Sequence, residues 1–231
     1  MRYLSGRANL ACTIFVPWDC NNNCPFCTSK HMYKEMSDNF DLEEIIHKIT
    51  LLNKNKFISE FVLTGGEPLS NLDNLKLLVN AMEKKVFINT TLPIMDNIDE
   101  VIEYINSEPK IQGINISRHL NYKFDSPTST DDKINLIQKP IRINTVIPNN
   151  LNVEKLFLFI ERYGNEKQMI NLREDYRYIT TTTLKDRNEM VDLLSNYFDY
   201  LGTNTCLVCN SEFFSAPNCV VCYHRGLEFS S

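Results

Sequence analysis

Residues 58–84 read ISEFVLTGGEPLSNLDNLKLLVNAMEK, and this stretch decides the fold class. Four of the six residues 58–63 are apolar, and two of these are β-branched, which predicts a strand that ends before Gly65 and Gly66. Residues 71–84 carry apolar side chains at helical spacing, which predicts a helix. A buried strand, a glycine turn and a helix in this order form one repeating unit of a parallel α/β sheet.

The same alternation continues on both sides of this stretch. Six strand–helix pairs within about 190 residues predict an α/β fold with right-handed crossovers, as a partial (β/α)6 TIM-like barrel. An open doubly wound sheet is the competing architecture. We detect no internal repeat, and Asp41 is a predicted helix N-cap. The other predicted strands cover residues 9–16, 86–91, 111–116, 140–147 and 168–172, and the other helices 41–53, 97–106, 131–138, 153–163 and 185–200.

The 231 residues are predicted to form a partial-barrel domain over residues 1–202 and a cysteine-rich tail over residues 203–231. With 24 basic and 29 acidic residues the net charge is -5, which argues against nucleic acid as a partner. No apolar run approaches the ~20 residues that a membrane span needs. No apolar signal-peptide core follows the first residues, so we expect a soluble protein of the cytoplasm without a membrane partner.

Eight cysteines point to metal binding, because clustered cysteines in a reducing compartment usually hold a metal. Cys20, Cys24 and Cys27 follow the first predicted strand with C-x3-C-x2-C spacing. Three thiolates on a four-iron cluster leave one iron open for another ligand, and Phe26 can shield such a cluster from water. Zinc is the alternative, although it normally takes four ligands. Cys12 stands apart within the strand and is predicted to pack in the core.

The segment from Cys20 to Cys27 resembles the C-x3-C-x-aromatic-C signature of the radical S-adenosylmethionine (SAM) superfamily. Gly65-Gly66-Glu67 with Pro68 is similar to a second motif of that family. The resemblance implies that Cys20, Cys24 and Cys27 are the catalytic ligands of a [4Fe-4S] cluster. It also implies that the backbone around Gly65, Gly66 and Glu67 binds the methionine amino group of SAM, with the Glu67 carboxylate in a structural role.

Polar residues at later strand ends are further cofactor-binding candidates. Ser117 and Arg118 follow the fourth predicted strand, Asn144 lies on the fifth, and Arg173 follows the sixth. The resemblance implies that such positions face the ribose and carboxylate of SAM, at the end of the barrel where active sites form. His119 is a weaker candidate for contact with a substrate.

The tail carries two C-x2-C pairs, Cys206 with Cys209 and Cys219 with Cys222. Such a tetrathiolate set suits a tetrahedral zinc ion or a fully ligated second iron–sulfur cluster. Several radical SAM relatives carry auxiliary clusters after the barrel, and a tail this small often needs a metal to fold. Zinc, a second cluster and no metal therefore all stay open.

The resemblance implies an enzyme that takes an electron from reduced flavodoxin or ferredoxin and cleaves SAM to a 5'-deoxyadenosyl radical. That radical abstracts hydrogen from a substrate, which is a small molecule, a peptide or a protein. The chain is similar in length to 7-carboxy-7-deazaguanine synthases and to glycyl-radical activating enzymes, which are the two more specific alternatives. The non-enzymatic alternative is a metal-binding interaction module on a radical SAM scaffold.

Overall fold

The computed structural model describes residues 10–20, 24, 26–27, 40–119, 130–147, 153–163, 168–174, 219–223 and 227–230. The chain divides into two compact units. The first contains Met1–Ile116 and Thr128–Pro140, and the second contains Ser117–Pro127 and Ile141–Ser231. The helix predicted at 185–200 lies outside the described residues, as do Cys206 and Cys209. The boundary predicted near residue 202 also lies there, so the division into a domain and a tail stays a prediction.

The first unit contains four neighbouring parallel strands in the order β1-β2-β3-β4, connected through helices. The alternation of parallel strands with helices confirms the predicted α/β class. The strands are β1 (Leu10–Val16), β2 (Ile58–Gly65), β3 (Lys85–Thr90) and β4 (Ile111–Ser117). The helices are α1 (Leu42–Asn53), α2 (Leu72–Ala81), α3 (Ile98–Ser107) and the single turn α4 (Asp131–Ile134).

The first two helices begin at side-chain caps. The Asp41 carboxylate accepts hydrogen bonds from the backbone N–H of Glu43 at 2.9 Å and of Glu44 at 3.2 Å, which confirms the predicted cap. The Asn71 side chain likewise accepts from the backbone N–H of Asn74 at 3.0 Å. Both caps satisfy amide groups that have no partner within the helix.

The C-terminal ends of α1, α2 and α3 have no basic residue in their last turns. Lysines located before later strands supply the missing positive charge, and we call Lys84, Lys110 and Lys139 the lysine clamps. Each ammonium group donates to a backbone carbonyl at or just after a helix end, where carbonyls lack partners within the helix, and Lys84 also donates to Ile58, the first residue of β2. The Nζ–O distances are 2.6 Å from Lys84 to Asn55 and to Ile58, 2.9 Å from Lys110 to Asn80, and 3.0 Å from Lys139 to Glu108.

Two helix-terminal asparagines connect each helix to the end of a following one. The Asn53 side chain donates to the Ala81 carbonyl at 2.8 Å and accepts from the Glu83 N–H at 3.1 Å. The Asn106 side chain repeats the pair of bonds, donating to the Leu136 carbonyl at 2.9 Å and accepting from the Gln138 N–H at 2.7 Å. These contacts and the lysine clamps fix the spacing of successive strand–helix units.

The core of the first unit lies on one face of its strands. On β3, Val86 and Ile88 are fully buried, whereas Phe87 and Asn89 between them are half-buried. The buried face is matched by apolar side chains of the helices, because each helix presents one apolar stripe. The fully buried residues, each 0% exposed, include Phe61, Leu63, Leu75, Leu78, Val79, Val101 and Ile105.

The second unit contains β5 (Ile141–Ile147), α5 (Val153–Tyr163), β6 (Gln168–Glu174), β7 (Cys219–Tyr223) and β8 (Leu227–Ser230). Its strand order is β5-β6-β8-β7. Strand β6 is parallel to both β5 and β8, and β7 is antiparallel to β8. The six strands β1–β6 alternate with helices in chain order as the predicted partial (β/α)6 TIM-like fold requires, whereas β7 and β8 are not predicted from the sequence. No helix in the described ranges has the length and apolar character that a membrane crossing needs.

Candidate active site

The ends of β1 and β2 lie side by side and lead into the two sequence motifs. Val16 at the end of β1 pairs with Gly65 at the end of β2. The chain continues from Val16 through Trp18 to Cys20, and from Gly65 into Gly66 and Glu67. Since the carboxyl ends of parallel strands meet at one edge of a sheet, the two motifs share that edge.

The glycine pair allows the loop after β2 to contact the backbone that leaves β1. The Gly66 N–H donates to the Val16 carbonyl at 2.7 Å, and the Glu67 N–H reaches the Trp18 carbonyl at 3.4 Å. Gly65 has a positive φ of 122°, and a Cβ atom on Gly66 would overlap the Trp18 carbonyl oxygen. Only glycine permits this backbone conformation and this close approach.

The Glu67 carboxylate is 2% exposed and accepts hydrogen bonds from two elements. One oxygen accepts from the Leu69 N–H at 3.1 Å and the Thr90 hydroxyl at 2.5 Å. The other accepts from the Thr91 N–H at 2.8 Å and its hydroxyl at 2.7 Å. Every one of these partners donates, so the carboxylate acts purely as an acceptor that fixes the loop to the end of β3. This geometry agrees with the structural role expected for Glu67.

The three cysteines of the first motif follow β1 on a loop. Cys20, Cys24 and Cys27 are half-buried, and Phe26 is 8% exposed. The Cys27 N–H donates to the Cys24 carbonyl at 3.1 Å, which closes a turn around Phe26. The buried ring beside two of the cysteines is consistent with the predicted shield.

The donor chemistry of this loop fits an iron–sulfur cluster. Within the described ranges, no three Cys, His, Asp or Glu side chains converge as a single bound ion requires. In a four-iron cluster each thiolate binds a different iron, so Cys20, Cys24 and Cys27 need not converge on one point. Soft thiolate ligands are also those that iron–sulfur clusters select.

A row of uncharged polar residues crosses the half-buried face of the first unit near this edge. Asn89 on β3 pairs in register with Asn115 on β4, and the Asn115 Nδ2 donates to the Asn89 Oδ1 at 2.7 Å. Thr64 on β2 lies next to Leu63, which pairs with Ile88. We call Thr64, Asn89 and Asn115 the polar row. Closed TIM barrels fill such interior positions with Val, Ile and Leu, so polar groups here mark a surface for water or a polar ligand.

Asn89 and Asn115 were not predicted as site residues. Each follows an isoleucine, and Ile-Asn dipeptides lie on four strands at residues 88–89, 114–115, 143–144 and 170–171, but the same dipeptide also occurs off the strands at 105–106 and 134–135. In the second unit, Asn144 and Asn171 also pair in register between β5 and β6. A lone dipeptide is not a sequence repeat, so the expectation that the chain lacks an internal repeat stays a prediction.

The second unit brings together three of the predicted cofactor-binding residues. The Arg118 N–H donates to the Asn144 carbonyl at 2.9 Å, and Arg118 Nη1 donates to the Ser117 carbonyl at 3.0 Å. Arg118 is 6% exposed. Within the part of the chain that is described, the buried Asn144 Oδ1 has no hydrogen-bond donor. A buried acceptor without a donor fits a ligand that carries a hydroxyl or ammonium group.

His119 lies next to Arg118 and is fixed by β5. Its Nδ1 accepts from the Val146 N–H at 3.2 Å, so a neutral ring carries its proton on Nε2. Burial, reinforced by the Arg118 charge, lowers the pKa of His119 to about 4. The imidazole is therefore neutral near pH 7.

The other predicted site residues that the structure describes lie on later strands of the second unit. Arg173 lies on β6 in register with Val146, and Cys219 and Cys222 lie on β7, with a register irregularity just after Cys219. Because Cys206 and Cys209 lie outside the described residues, a metal in the tail stays a prediction.

Cys12 is half-buried within β1. Burial raises the pKa of its thiol, and the nearby Lys84 charge opposes this effect. A protonated thiol inside a strand agrees with the packing role expected for Cys12.

Comparison with known proteins supports the superfamily assignment. A sequence model of the Radical SAM superfamily matches residues 19–145, more than half of the chain. This range includes the first cysteine motif, the glycine loop, Arg118 and Asn144, and it ends before Arg173 and the tail. No curated protein sequence matches the chain.

Two crystal structures of Streptococcus suis SuiB have a similar fold, and one of them is bound to S-adenosylmethionine. Each is 17% identical to this chain with a TM-score of 0.59, and the match covers 82% of this chain. It covers 47% of the SAM-bound SuiB chain and 46% of the other. The chain thus spans about half the length of the solved structures it matches.

Proposed function

Since this chain belongs to the radical SAM superfamily of enzymes, we propose that it cleaves SAM reductively and abstracts hydrogen from a polar substrate. The observation that carries the proposal is the contact between the glycine loop and the backbone that leads into the first cysteine motif. The glycine loop is hydrogen-bonded to Val16 and to Trp18, two residues before Cys20, which supports a single site built by both motifs. The similar fold of SuiB bound to S-adenosylmethionine supports SAM as the co-substrate.

Cys20, Cys24 and Cys27 would hold the [4Fe-4S] cluster, and the backbone of Gly65–Glu67 would bind the methionine amino group of SAM. A cluster held there would supply the single electron, received from reduced flavodoxin or ferredoxin, that cleaves SAM to methionine and the 5'-deoxyadenosyl radical. The surrounding residues orient SAM and exclude water. Phe26 provides an apolar cover, and Glu67 keeps the loop in place through Thr90 and Thr91.

In the second unit, Ser117, Arg118 and Asn144 are proposed to bind the ribose and carboxylate of SAM, with Arg173 as a further candidate. The buried Asn144 Oδ1, which lacks a donor among the described residues, can accept a hydrogen bond from a ribose hydroxyl. Arg118 supplies the positive charge that a carboxylate requires.

The polar row favours a substrate with uncharged hydrogen-bonding groups. Its amide and hydroxyl groups can donate and accept but carry no charge, so they suit lactam, amide or hydroxyl groups better than a phosphate. A small polar heterocycle, as in the 7-carboxy-7-deazaguanine synthase-like alternative, matches this chemistry. A glycyl-radical partner protein is the second candidate, and membership of an enzyme family argues against the non-enzymatic module.

The tail cysteines Cys206, Cys209, Cys219 and Cys222 are proposed to bind zinc or a second iron–sulfur cluster. Iron and zinc analysis of a variant with Cys20, Cys24 and Cys27 all changed to Ala would identify the metal. Bound iron in that variant would support a second cluster, and zinc alone would support a zinc site. The absence of both metals would contradict this assignment.

The enzymatic proposal is tested by product analysis under anaerobic conditions. Protein reconstituted with iron and sulfide is reduced with dithionite, mixed with SAM and assayed for 5'-deoxyadenosine. We expect product from the wild type and from Cys12→Ala, whose thiol lies within β1, but none from Cys24→Ala. Absence of 5'-deoxyadenosine from cluster-loaded wild type, or equal yields from Cys24→Ala, would contradict the proposal.

A further inference from the structure

The indole of Trp18 has a buried donor with no acceptor. Among the described residues, its Nε1 is one of three buried side-chain atoms that lack a hydrogen-bond partner. The other two are the Tyr104 hydroxyl and the Asn144 Oδ1. An indole N–H can only donate, so its partner must be an acceptor. Because buried polar groups are almost always paired, this one calls for an acceptor that the described residues do not supply.

The position of Trp18 is fixed by the glycine loop. Its carbonyl oxygen accepts from the Glu67 N–H at 3.4 Å and lies against Gly66. Val16, two residues earlier, is 1% exposed at the end of β1, and Pro17 between them restricts the backbone. The indole donor therefore lies on a segment whose backbone position is fixed by its contacts with the glycine loop.

The nearest motif residue in sequence is Cys20, two positions after Trp18. Thiolate and sulfide sulfurs of an iron–sulfur cluster carry negative charge and accept N–H hydrogen bonds. We propose that the Trp18 indole N–H donates a hydrogen bond to a sulfur of the cluster held by Cys20, Cys24 and Cys27. This inference rests on the proposed function, because it requires that cluster.

The proposed bond has a defined effect on the cluster. Reduction adds negative charge to the sulfurs, and a hydrogen-bond donor stabilises the more negative state. Trp18 would therefore raise the reduction potential of the cluster and make the cluster easier to reduce. Its loss should shift the reduction potential to more negative values while leaving all three cysteine ligands in place.

The sequence allows an unambiguous test, because Trp18 is the only tryptophan of the chain. Protein grown with indole-15N tryptophan carries the label at one side chain alone. The holoenzyme is reduced with dithionite, and pulsed electron paramagnetic resonance is recorded with and without SAM. We expect a 15N coupling to the reduced cluster already without SAM.

A variant series measures the effect on potential. Trp18→Phe removes the N–H and keeps an aromatic ring, and Tyr104→Phe removes the other unpaired aromatic donor, which lies on α3. Iron content and circular dichroism establish that each variant is folded and loaded. We expect a more negative midpoint potential for Trp18→Phe and an unchanged potential for Tyr104→Phe.

The outcomes separate this inference from the proposed function. A 15N coupling without SAM together with the shift in Trp18→Phe would support it. A coupling that appears only with SAM would overturn it in favour of an acceptor on SAM. Normal 5'-deoxyadenosine formation with neither a coupling nor a shift would overturn the inference alone. A wild type that binds no cluster would overturn both.

Discussion

Glu67 and Thr91 are joined by two hydrogen bonds to a single carboxylate oxygen, from the Thr91 N–H at 2.8 Å and from its hydroxyl at 2.7 Å. Glu67 follows β2 and Thr91 follows β3, so this contact connects the ends of two neighbouring strands. The motif glutamate is therefore an anchor for the loop that carries the glycine pair. Substitutions at Glu67 should act first on stability and loop position.

Glu67→Gln is expected to be nearly as damaging as Glu67→Ala. The amide NH2 of glutamine would face donors from Thr90 or Thr91, and two hydrogen bonds would be lost. We expect a loss of about 2–4 kcal/mol in the free energy of unfolding, measured by urea denaturation. Glu83→Gln, at an exposed residue after α2, is the control and should change stability by less than about 0.5 kcal/mol. Equal stability of Glu67→Gln and wild type would contradict this role.

Gly66→Ala should displace the first cysteine loop. A Cβ atom would overlap the Trp18 carbonyl, which is backbone and cannot rotate away. We expect a cost above about 2 kcal/mol and reduced iron binding after reconstitution.

Gly113→Ala is the matched control, because its new Cβ would meet the Phe87 ring, which can move, at 3.1 Å and the Pro140 carbonyl oxygen at 3.3 Å, without the overlap found at Gly66. It should cost about 1 kcal/mol and leave the iron content unchanged. Similar effects of both alanines on iron binding would refute the special position of Gly66.

Lys84→Met should destabilise the protein, because it removes donors to the Asn55 and Ile58 carbonyls while preserving much of the aliphatic stem. Hydrogen bonds from a charged group contribute about 1.5–3 kcal/mol each at most, and partial exposure lowers this, so we expect about 1–2 kcal/mol. The neighbouring Lys85→Met, at an exposed position, provides the comparison in the same melting experiment. A Lys84→Met variant as stable as Lys85→Met would show that the clamp is dispensable.

His119 is expected to make the free energy of unfolding depend on pH in the acidic range. Its folded pKa of about 4 lies below the usual value of 6.5, so the unfolded chain binds more protons between those two pH values. The stability associated with neutral His119 is complete above pH 6.5 and is lost as the pH falls toward 4, by up to about 3 kcal/mol.

His119→Gln, whose side-chain oxygen can still accept from the Val146 N–H, should flatten this part of the stability profile. Urea midpoints measured from pH 7.5 to 4.5 would test it. Parallel profiles for the wild type and the variant would assign the acid sensitivity to other groups.

Local sequence signals identified most of the first unit. The strand and helix at residues 58–84 were predictable because the spacing of apolar residues and the glycine pair between them are local signals that extend over only a few residues. The Asp41 cap was predictable for the same reason, since the cap and its partners lie within three residues. The motif cysteines were predicted from their spacing, and the glycine pair from its resemblance to a family motif.

The parts that were missed depend on distant partners. The contact of Lys110 with Asn80 spans 30 residues, and that of Glu67 with Thr91 spans 24. No local pattern encodes such pairs. Trp18 was also passed over, because a single aromatic carries no periodic signal and its meaning comes from burial without a partner.

The lysine clamps have a consequence for synthesis on the ribosome. Lys84, just before β3, donates to the Asn55 carbonyl after the end of α1. Lys110, just before β4, donates to the Asn80 carbonyl in the last turn of α2. A nascent chain that has released α1 but not yet Lys84 lacks this contact. Each of these two helix ends gains its lysine contact only after the following helix has emerged, so the contacts become available in the order of translation.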